Sequence, residues 1–233
     1  MQNAHAGMLR NDEQRLLKSL LRNASSYLEW GAGKSTQLAL SEPPAGREVH
    51  TSENQGGWCD YMSQRTDINC LATCTKRVGG SFAMHCIRDG AQQAGYHFDQ
   101  AKEKHAPGHG YLDRYKSHDV VTAKLQGFHY VRLASDLRST FDLILVDGRW
   151  RVACALQAWL LSHADTVVLV HDWDRQNVYK PTLRYFYLQQ RVGQLAVLRA
   201  RSGRSLTPNS TESKEKIEEV WTSLRQELAN PNR

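Results

Sequence analysis

The chain has 233 residues, of which 40% are hydrophobic and 23% charged, and its formal net charge is +6 at pH 7. This length and composition predict one soluble globular domain with a substantial core and some additional chain. No apolar run reaches transmembrane length, and the N-terminal residues lack the apolar core of a signal peptide, so neither feature is expected. The excess positive charge is diffuse, which favours a solvated basic surface over a nucleic-acid interface and permits an acidic substrate.

The five cysteines favour a reducing compartment, because their odd number and irregular spacing do not form a disulfide framework. Cys70, Cys74 and Cys86 do not have the spacing of a zinc knuckle, and they are expected to be buried thiols. No segment of the sequence indicates a more specific location.

The first part of the chain predicts a helix, a strand, a glycine turn and a second helix. Leucines recur at helical spacing over residues 8–22, and an apolar-leaning strand follows up to Trp30. After the turn a helix continues until the Pro43-Pro44 pair, which cannot extend it. Such a turn between a strand and a helix brings backbone N–H groups close to a ligand.

The residues of this turn, LEWGAGKST at positions 28–36, distinguish between ligand classes. A P-loop needs a glycine at position 28, where the chain has Leu28. A dinucleotide fingerprint accepts Gly31 and Gly33, but its third glycine is replaced by Thr36, whose branched side chain hinders close helix packing. The remaining pattern is an acid at the end of the strand, Glu29, followed by G-x-G and small hydroxyl residues.

The second strand is predicted over residues 47–53 and ends in an acid. Glu53 follows Gly33 by 20 residues, since 53 − 33 = 20. In nucleoside-binding α/β folds, a carboxylate at this place accepts hydrogen bonds from the ribose hydroxyls. Glu53 is therefore the candidate ribose ligand.

The middle of the chain is less regular. A short helix is predicted from Gly56 to Ser63, and a third strand is predicted over residues 81–87, whereas residues 68–78 are ambiguous. Residues 88–118 have little periodicity and suit a loop or lid that faces the substrate. The histidines of that loop, His97, His105, His109 and His118, are not expected to bind a ligand.

Two neighbouring strands end in ionisable residues. FDLILVDGRW (141–150) contains a continuous apolar run, typical of a central parallel strand, and the run ends at Asp147. The next strand, residues 166–170, ends at His171 and Asp172, after a helix that opens near Val152. Because parallel strands present their carboxyl ends at one edge of a sheet, these side chains predict a catalytic edge.

Two strands around Gly193, over residues 184–192 and 195–201, predict a closing β-hairpin. The chain thus divides into an N-terminal helical segment (1–24), an α/β domain (25–201) and a linker with an amphipathic helix (202–233). That last helix is suited to docking on the domain, on a partner protein or on a second copy.

Taken together, EWGAGKST, Glu53, VDGRWRVACAL (146–156) and VHDWDR (170–175) resemble the class I S-adenosylmethionine-dependent methyltransferases. More loosely, the chain is similar to the glucuronoxylan and catechol-type O-methyltransferases. The resemblance implies a doubly wound, Rossmann-like α/β sheet that is mostly parallel and closes with an antiparallel β-hairpin. It also implies S-adenosylmethionine as cofactor and a small-molecule or carbohydrate hydroxyl as methyl acceptor.

The resemblance also implies roles for single residues. The cofactor would be bound by the turn, by the acids that flank it and by the end of the central strand: Glu29, Gly31, Ala32, Gly33, Ser35, Thr36, Glu53 and Asp147. At the acceptor, Asp147, His171 and Asp172 would be catalytic, with His171 as the base favoured by its intrinsic pKa. In the catechol-type enzymes such carboxylates bind a divalent metal, so Asp147 and Asp172 are also candidate metal ligands, although the asparagine expected after the second is absent.

Two other classes of function remain open from the sequence. One is a methyltransferase-like scaffold without catalysis, which binds a partner through its basic surface and C-terminal helix. The other is a nicotinamide-dependent oxidoreductase, which Thr36 disfavours. The cofactor that the protein binds distinguishes these classes.

Overall fold

The computed structural model describes residues 9–54, 56–65, 73–77, 81–86, 130–131, 140–174, 179–201 and 222. The predicted lid over 88–118 with its histidines and the predicted linker over 202–213 lie outside these ranges. So does the predicted C-terminal helix, apart from Thr222, which is helical and exposed.

Within these ranges the chain forms helices on both faces of a single sheet. The helices are α1 (Asn11–Leu21), α2 (Lys34–Ser41), α3 (Gly56–Arg65) and α4 (Arg151–Leu160), and a 3₁₀ helix covers Lys180–Arg184. The strands are β1 (Ser26–Trp30), β2 (Glu48–Glu53), β3 (Thr73–Arg77), β4 (Ser81–Cys86), β5 (Phe141–Val146), β6 (Ser162–Val170), β7 (Phe186–Val192) and β8 (Leu195–Ala200). No helix among them is long and apolar enough to cross a membrane.

The strands of the described ranges lie in the order β3-β4-β2-β1-β5-β6-β8-β7. Neighbours from β4 to β6 are parallel, whereas β8 is antiparallel to β6 and pairs with β7 in a hairpin. The order reverses between β1 and β5, where an open α/β sheet forms the crevice for its ligand. The predicted fold class, a mostly parallel doubly wound sheet closed by an antiparallel hairpin, is confirmed.

The largest differences from the sequence prediction concern two strands. β3 lies in the ambiguous segment 68–78 and pairs antiparallel with β4 at the edge of the sheet. Its sequence, TCTKR, lacks the apolar alternation by which a strand is recognised. β6 begins at Ser162, four residues before the predicted start. The prediction missed these four residues because SHAD is small or polar.

The core consists of two layers, one on each face of the sheet, because successive side chains of a strand point to opposite faces. On one face Tyr27, Val49 and Leu145 pack against helices α1 to α3. On the other face the strands pack against α4. Leu17 and Leu21 of α1 have no exposed surface, so α1 belongs to the same packed unit as the sheet.

The cysteines differ in part from the expectation of buried thiols. Cys59 of α3 and Cys86 at the end of β4 form a disulfide, with their Cα atoms 6.0 Å apart. The two residues come together because α3 follows β2 and β4 lies beside β2. Cys154 in α4 is a buried thiol, and Cys70 lies outside the described residues.

Candidate functional site

Four predicted site residues lie in one row across the carboxyl edge of the sheet. The row runs from Glu53 at the end of β2, through Gly31 after β1 and Asp147 after β5, to His171 after β6. Gly31, Asp147 and His171 each donate a backbone hydrogen bond of 2.8 to 3.1 Å to the neighbouring strand. These bonds extend the ladder one residue past each strand, so the row belongs to the rigid sheet.

The glycine turn requires its first glycine. Gly31 has a φ of +100°, in the region that favours glycine. A Cβ on Gly31 would lie 2.8 Å from the backbone nitrogen of Gly148, so the turn after β1 contacts the turn after β5 directly. A Cβ on Gly33, in contrast, would meet no heavy atom within 4 Å. The turn is therefore packed on one side and open on the other.

Glu29 lies beneath this turn and has no exposed surface. Its carboxylate accepts hydrogen bonds of 2.8 Å from the hydroxyl groups of Tyr27 and Thr51, and one from Thr36. Burial raises the pKa of Glu29, while these hydrogen bonds and one with Ser35 oppose the rise. Its contacts make Glu29 a support of the turn.

Thr36 connects this support to the turn itself. The Thr36 hydroxyl donates to Glu29 and accepts a hydrogen bond of 2.9 Å from the backbone nitrogen of Gly33. Ala32 and Ser35 are buried at the same turn, whereas Lys34 is exposed. All predicted cofactor residues of the turn thus lie together in the structure.

Glu53 reaches the turn from the neighbouring strand. One carboxylate oxygen accepts the backbone N–H of Ala32 at 2.9 Å, and the other accepts that of Asn54 at 2.8 Å. The indole nitrogen of Trp58 donates to the carbonyl of the same Ala32, and its ring stacks on Tyr61 with the centroids 4.8 Å apart. A fixed carboxylate and a stacked aromatic pair therefore border the turn on the β2 side.

The three predicted catalytic residues also lie together, after the ends of β5 and β6. His171 Nδ1 lies 2.9 Å from Asp147 Oδ1 and 3.7 Å from Asp172 Oδ1. Asp172 has a φ of +56°, in the left-handed region that aspartate tolerates better than most residues. The structure thus places all three side chains in one group.

A fourth member of this group, Glu13 of α1, was not predicted. Glu13 has no exposed surface, and its Oε2 lies 3.4 Å from His171 Nε2. The same carboxylate accepts backbone N–H groups from Arg10 and from Gln194 in the β7–β8 turn, each at 2.6 Å. Glu13 therefore joins helix α1 and the closing hairpin to the carboxyl edge of the sheet.

The spacing along α1 held a signal for Glu13. Glu13, Leu17 and Leu21 recur every four residues, which places them on one face of a helix. A carboxylate in line with two core leucines must be buried, and a buried carboxylate needs partners. The pattern indicates that Glu13 is buried but does not identify His171 as the residue that it contacts.

His171 lies between these carboxylates with only 2% of its side chain exposed. Burial alone would lower its pKa, but the hydrogen bond to Asp147 and the charges of Asp147, Asp172 and Glu13 raise it above its ordinary value of 6.5. Its Nδ1 is hydrogen-bonded to Asp147, whereas Nε2, 3.4 Å from Glu13 Oε2, has no hydrogen bond within the described residues. His171 is thus enclosed between Asp147 and Glu13, with very little of its ring at the open edge of the sheet.

Arg151, the first residue of α4, also contacts this group. It donates to Asp172 Oδ2, and its Nη2 lies 3.4 Å from Asp147 Oδ1. Burial alone would lower the pKa of Arg151, but the charges of the two aspartates raise it. In the part of the chain that the structure describes, no group of three or more His, Cys, Asp or Glu side chains is arranged to hold a metal ion.

The turn after β5 has its own steric requirement. A Cβ on Gly148 would lie 2.0 Å from the hydroxyl oxygen of Tyr130, which is fully buried. The carbonyl of Tyr130 accepts a hydrogen bond of 3.1 Å from the indole of Trp30. Tyr130 was not predicted, because the sequence gives no indication that this residue contacts two strand ends.

Known structures resemble this arrangement in fold. A methyltransferase-like protein from Silicibacter pomeroyi aligns over 93% of this chain and 98% of its own, at 18% sequence identity and a TM-score of 0.58. An O-methyltransferase from Bacillus cereus, solved with S-adenosylhomocysteine, aligns over 85% of each chain at 14% identity. The TM-score of that second alignment, 0.45, is too low to support a conclusion.

No protein-family model matches the sequence, and no curated protein matches it. At 18% identity, the likeness to the Silicibacter protein concerns the fold alone. The strand order and directions of this chain are those of a Rossmann-like α/β fold, and in fold the chain is similar to the methyltransferase-like protein from Silicibacter.

Proposed function

We propose that this protein is an S-adenosylmethionine-dependent methyltransferase that methylates a hydroxyl group of a small-molecule or carbohydrate acceptor. The supporting observation is the row across the carboxyl edge, where Glu53, the turn at Gly31 and Asp147 lie at one level on three adjacent strands. Open α/β sheets bind their ligands at this edge, beside the point where the strand order reverses.

The turn and its neighbours form the cofactor side of the site. The open space in front of Gly33 allows a ligand to approach the backbone, and Glu53 is already held beside the turn. In this proposal the turn and Ser35 hold the methionine end, Glu53 accepts the ribose hydroxyls, and Glu29 with Thr36 supports the turn from beneath. S-adenosylmethionine, when bound, supplies a methyl group on a positively charged sulfur.

Asp147 and Asp172 form the acceptor side. Their side chains are 15% and 28% exposed, in contrast to 2% for His171, so the carboxylates face the edge and the imidazole lies behind them. In this proposal the proton of the acceptor hydroxyl leaves toward these carboxylates, and His171 acts through Asp147 as a positioning residue. In this proposal the remaining rate acceleration comes from holding the acceptor oxygen in line with the methyl group.

Ligand-induced stabilisation tests the proposal without knowledge of the acceptor. S-adenosylhomocysteine at a hundred times its Kd should stabilise the fold by about 2.7 kcal/mol, or roughly 5–10 °C in Tm. NAD and ATP serve as controls. A shift with NAD alone would instead favour the oxidoreductase. Cofactor binding without methyl transfer to any hydroxyl compound from labelled S-adenosylmethionine would favour the scaffold.

A matched pair of glutamates in β2 locates the cofactor. Glu53→Ala should weaken S-adenosylhomocysteine binding by about 1.5–3 kcal/mol, the worth of hydrogen bonds to a charged group. Glu48→Ala, at the other end of the same strand, should leave the affinity unchanged, since Glu48 lies at the opposite edge of the sheet. Isothermal titration calorimetry with S-adenosylhomocysteine on both variants tests whether Glu53 contacts the cofactor. Equal affinities would remove Glu53 from the cofactor site.

A further inference from the structure

The guanidinium of Arg151 occupies the space between the two acceptor-side carboxylates. Nη1 donates to Asp172 Oδ2, and Nη2 lies 3.4 Å from Asp147 Oδ1. The Arg151 side chain is 20% exposed, so solvent screens these ion pairs only in part. A divalent metal shared by these two aspartates would need the same space.

The backbone of the two strand ends holds the guanidinium in this position. Nε donates to the carbonyl of Gly148 at 2.9 Å, Nη1 to that of His171 at 3.2 Å, and Nη2 to that of Asp147 at 3.4 Å. Each of the three nitrogens thus has a backbone carbonyl partner. Arg151 is anchored by the sheet edge itself, and its charge is permanent.

The remaining surroundings also disfavour a divalent cation. His171 lies on the other side of Asp147, with Nδ1 2.9 Å from Asp147 Oδ1, so this oxygen already has one partner in His171 and another in Arg151. Trp173, which follows Asp172, is 2% exposed and stacks on Tyr179 with the ring centroids 4.9 Å apart. Its indole has no oxygen to offer, whereas magnesium and manganese prefer oxygen ligands. The residues present therefore do not fit a divalent metal.

We propose that Arg151 is a built-in counter-ion that takes the place of a divalent metal between Asp147 and Asp172. Its guanidinium neutralises the carboxylates and fixes their positions, so the acceptor edge does not bind a metal and methyl transfer does not require one. The mechanistic meaning rests on the proposed function, but the exclusion of metal by Arg151 can be tested without any activity.

Manganese binding, followed by electron paramagnetic resonance, is the direct test. The wild type should show no saturable Mn²⁺ site that depends on Asp172. Arg151→Met removes the charge and keeps much of the side-chain volume, and it should bind Mn²⁺ at least about tenfold more tightly than the wild type, or about 1.4 kcal/mol. This gain should vanish in the double variant Arg151→Met with Asp172→Asn. Arg151→Lys, which keeps the positive charge, should not show it.

Two results would overturn the proposal. One is a Mn²⁺ site in the wild type that is lost in Asp172→Asn, a comparison that remains decisive even where Arg151→Met fails to fold. The other is a folded Arg151→Met, as judged by circular dichroism, that binds Mn²⁺ no better than the wild type. Failure of the proposed function has a different signature, namely no response to S-adenosylhomocysteine whatever the Mn²⁺ result.

Discussion

Strands β5 and β6 have ionisable residues near both ends, and these residues form two histidine–aspartate pairs, one at each edge of the sheet. The two pairs differ strongly in their surroundings. At the amino edge, His163 Nε2 lies 3.1 Å from Asp142 Oδ1, with about a third of each side chain exposed. At the carboxyl edge, His171 Nδ1 lies 2.9 Å from Asp147 Oδ1, with only 2% of the histidine exposed. Residue types and distances agree, so the difference must come from the surroundings.

The partners of each aspartate explain the difference. Asp142 accepts the backbone N–H groups of Ser25 and Ser26 and the Ser25 hydroxyl, which fixes the start of β1. Asp147 instead borders the turn at Gly31 and faces the cation Arg151. One pair completes a strand start, whereas the other belongs to a group of five ionisable side chains beside an open turn.

A histidine–aspartate contact is therefore not by itself evidence of a catalytic site. The discriminating features at the carboxyl edge are the burial of the histidine, the second carboxylate at its far nitrogen, and the adjacent turn with space for a ligand. Substitutions at the two edges should separate structural roles from functional ones.

The largest effect on stability is expected from Glu13. Glu13→Ala removes the buried carboxylate that faces His171 Nε2, and with it the acceptor of the Gln194 backbone N–H. Breaking such a buried pair should lower the free energy of unfolding by about 3–5 kcal/mol. His163→Ala, at the exposed pair, should lower it by less than about 1 kcal/mol. Urea denaturation of both variants measures the contrast.

A neutral replacement separates the charge of Glu13 from its hydrogen bonds. Glu13→Gln keeps an acceptor oxygen for Gln194 and loses the charge that faces His171, so it should cost about 1–3 kcal/mol, less than the alanine variant. If Glu13→Ala and His163→Ala destabilise the protein equally, the histidine–aspartate pair at the carboxyl edge contributes no more to stability than the exposed pair at the amino edge.

The next effect concerns turnover, and Asp147 and Asp142 form the matched pair. Asp147→Asn should lower methyl transfer by about 10²–10³-fold, as expected for a group that acts on the reacting proton. Its affinity for S-adenosylhomocysteine should change by less than about threefold, since the contact matters chiefly in the transition state. Asp142→Asn should leave both quantities unchanged. Single-turnover methylation beside cofactor titration gives both numbers.

The relative affinity of the same variants for S-adenosylmethionine and S-adenosylhomocysteine can be measured before an acceptor is known. In the proposed site the Asp147 side chain lies near the sulfonium, so the protein should prefer positively charged S-adenosylmethionine to neutral S-adenosylhomocysteine, and Asp147→Asn should weaken this preference by about 0.5–1 kcal/mol. Equal losses of turnover and affinity would make Asp147 a cofactor ligand only. A fully active Asp147→Asn would remove it from the mechanism.

Much of this edge could be predicted because it depends on local pattern. The apolar run of β5 ends at Asp147, β6 ends before His171, and parallel strands bring their ends together whatever the loops do. The position of Glu53 at the end of β2 was predicted from its distance along the chain to the glycine turn. These positions follow from the sheet, and the sheet follows from hydrophobic periodicity.

The residues that the sequence did not indicate depend on contacts between distant elements. Glu13 meets His171 only because α1 packs on the sheet, and periodicity can show that Glu13 is buried without showing what it touches. Arg151 is one of several arginines near this edge, and only the position of its guanidinium distinguishes it. Strand β3 was missed because its polar sequence, TCTKR, carries no apolar alternation.

The smallest expected effect concerns the amino edge and its dependence on pH. Burial alone would raise the pKa of Asp142, but hydrogen bonds from Ser25, Ser26 and His163 lower it from 3.8 to about 2. Because the folded pKa is depressed, the stabilisation is present above the unfolded value and is lost as the pH falls toward 2. About a third of the side chain is exposed, so solvent screening reduces the stabilisation that corresponds to this pKa shift to about 1–2 kcal/mol.

Asp142→Asn should therefore flatten the decline in unfolding free energy between pH 5 and pH 2. Asp165→Asn, which replaces an exposed aspartate near the start of β6, should leave the decline as it is in the wild type. Urea denaturation at intervals of half a pH unit resolves a difference of this size. Parallel curves for Asp142→Asn and the wild type would show that hydrogen bonds at the amino edge do not bias Asp142 toward its ionised form. The contrast between the edges would then depend on the burial of His171 and the contacts of Glu13 and Arg151 alone.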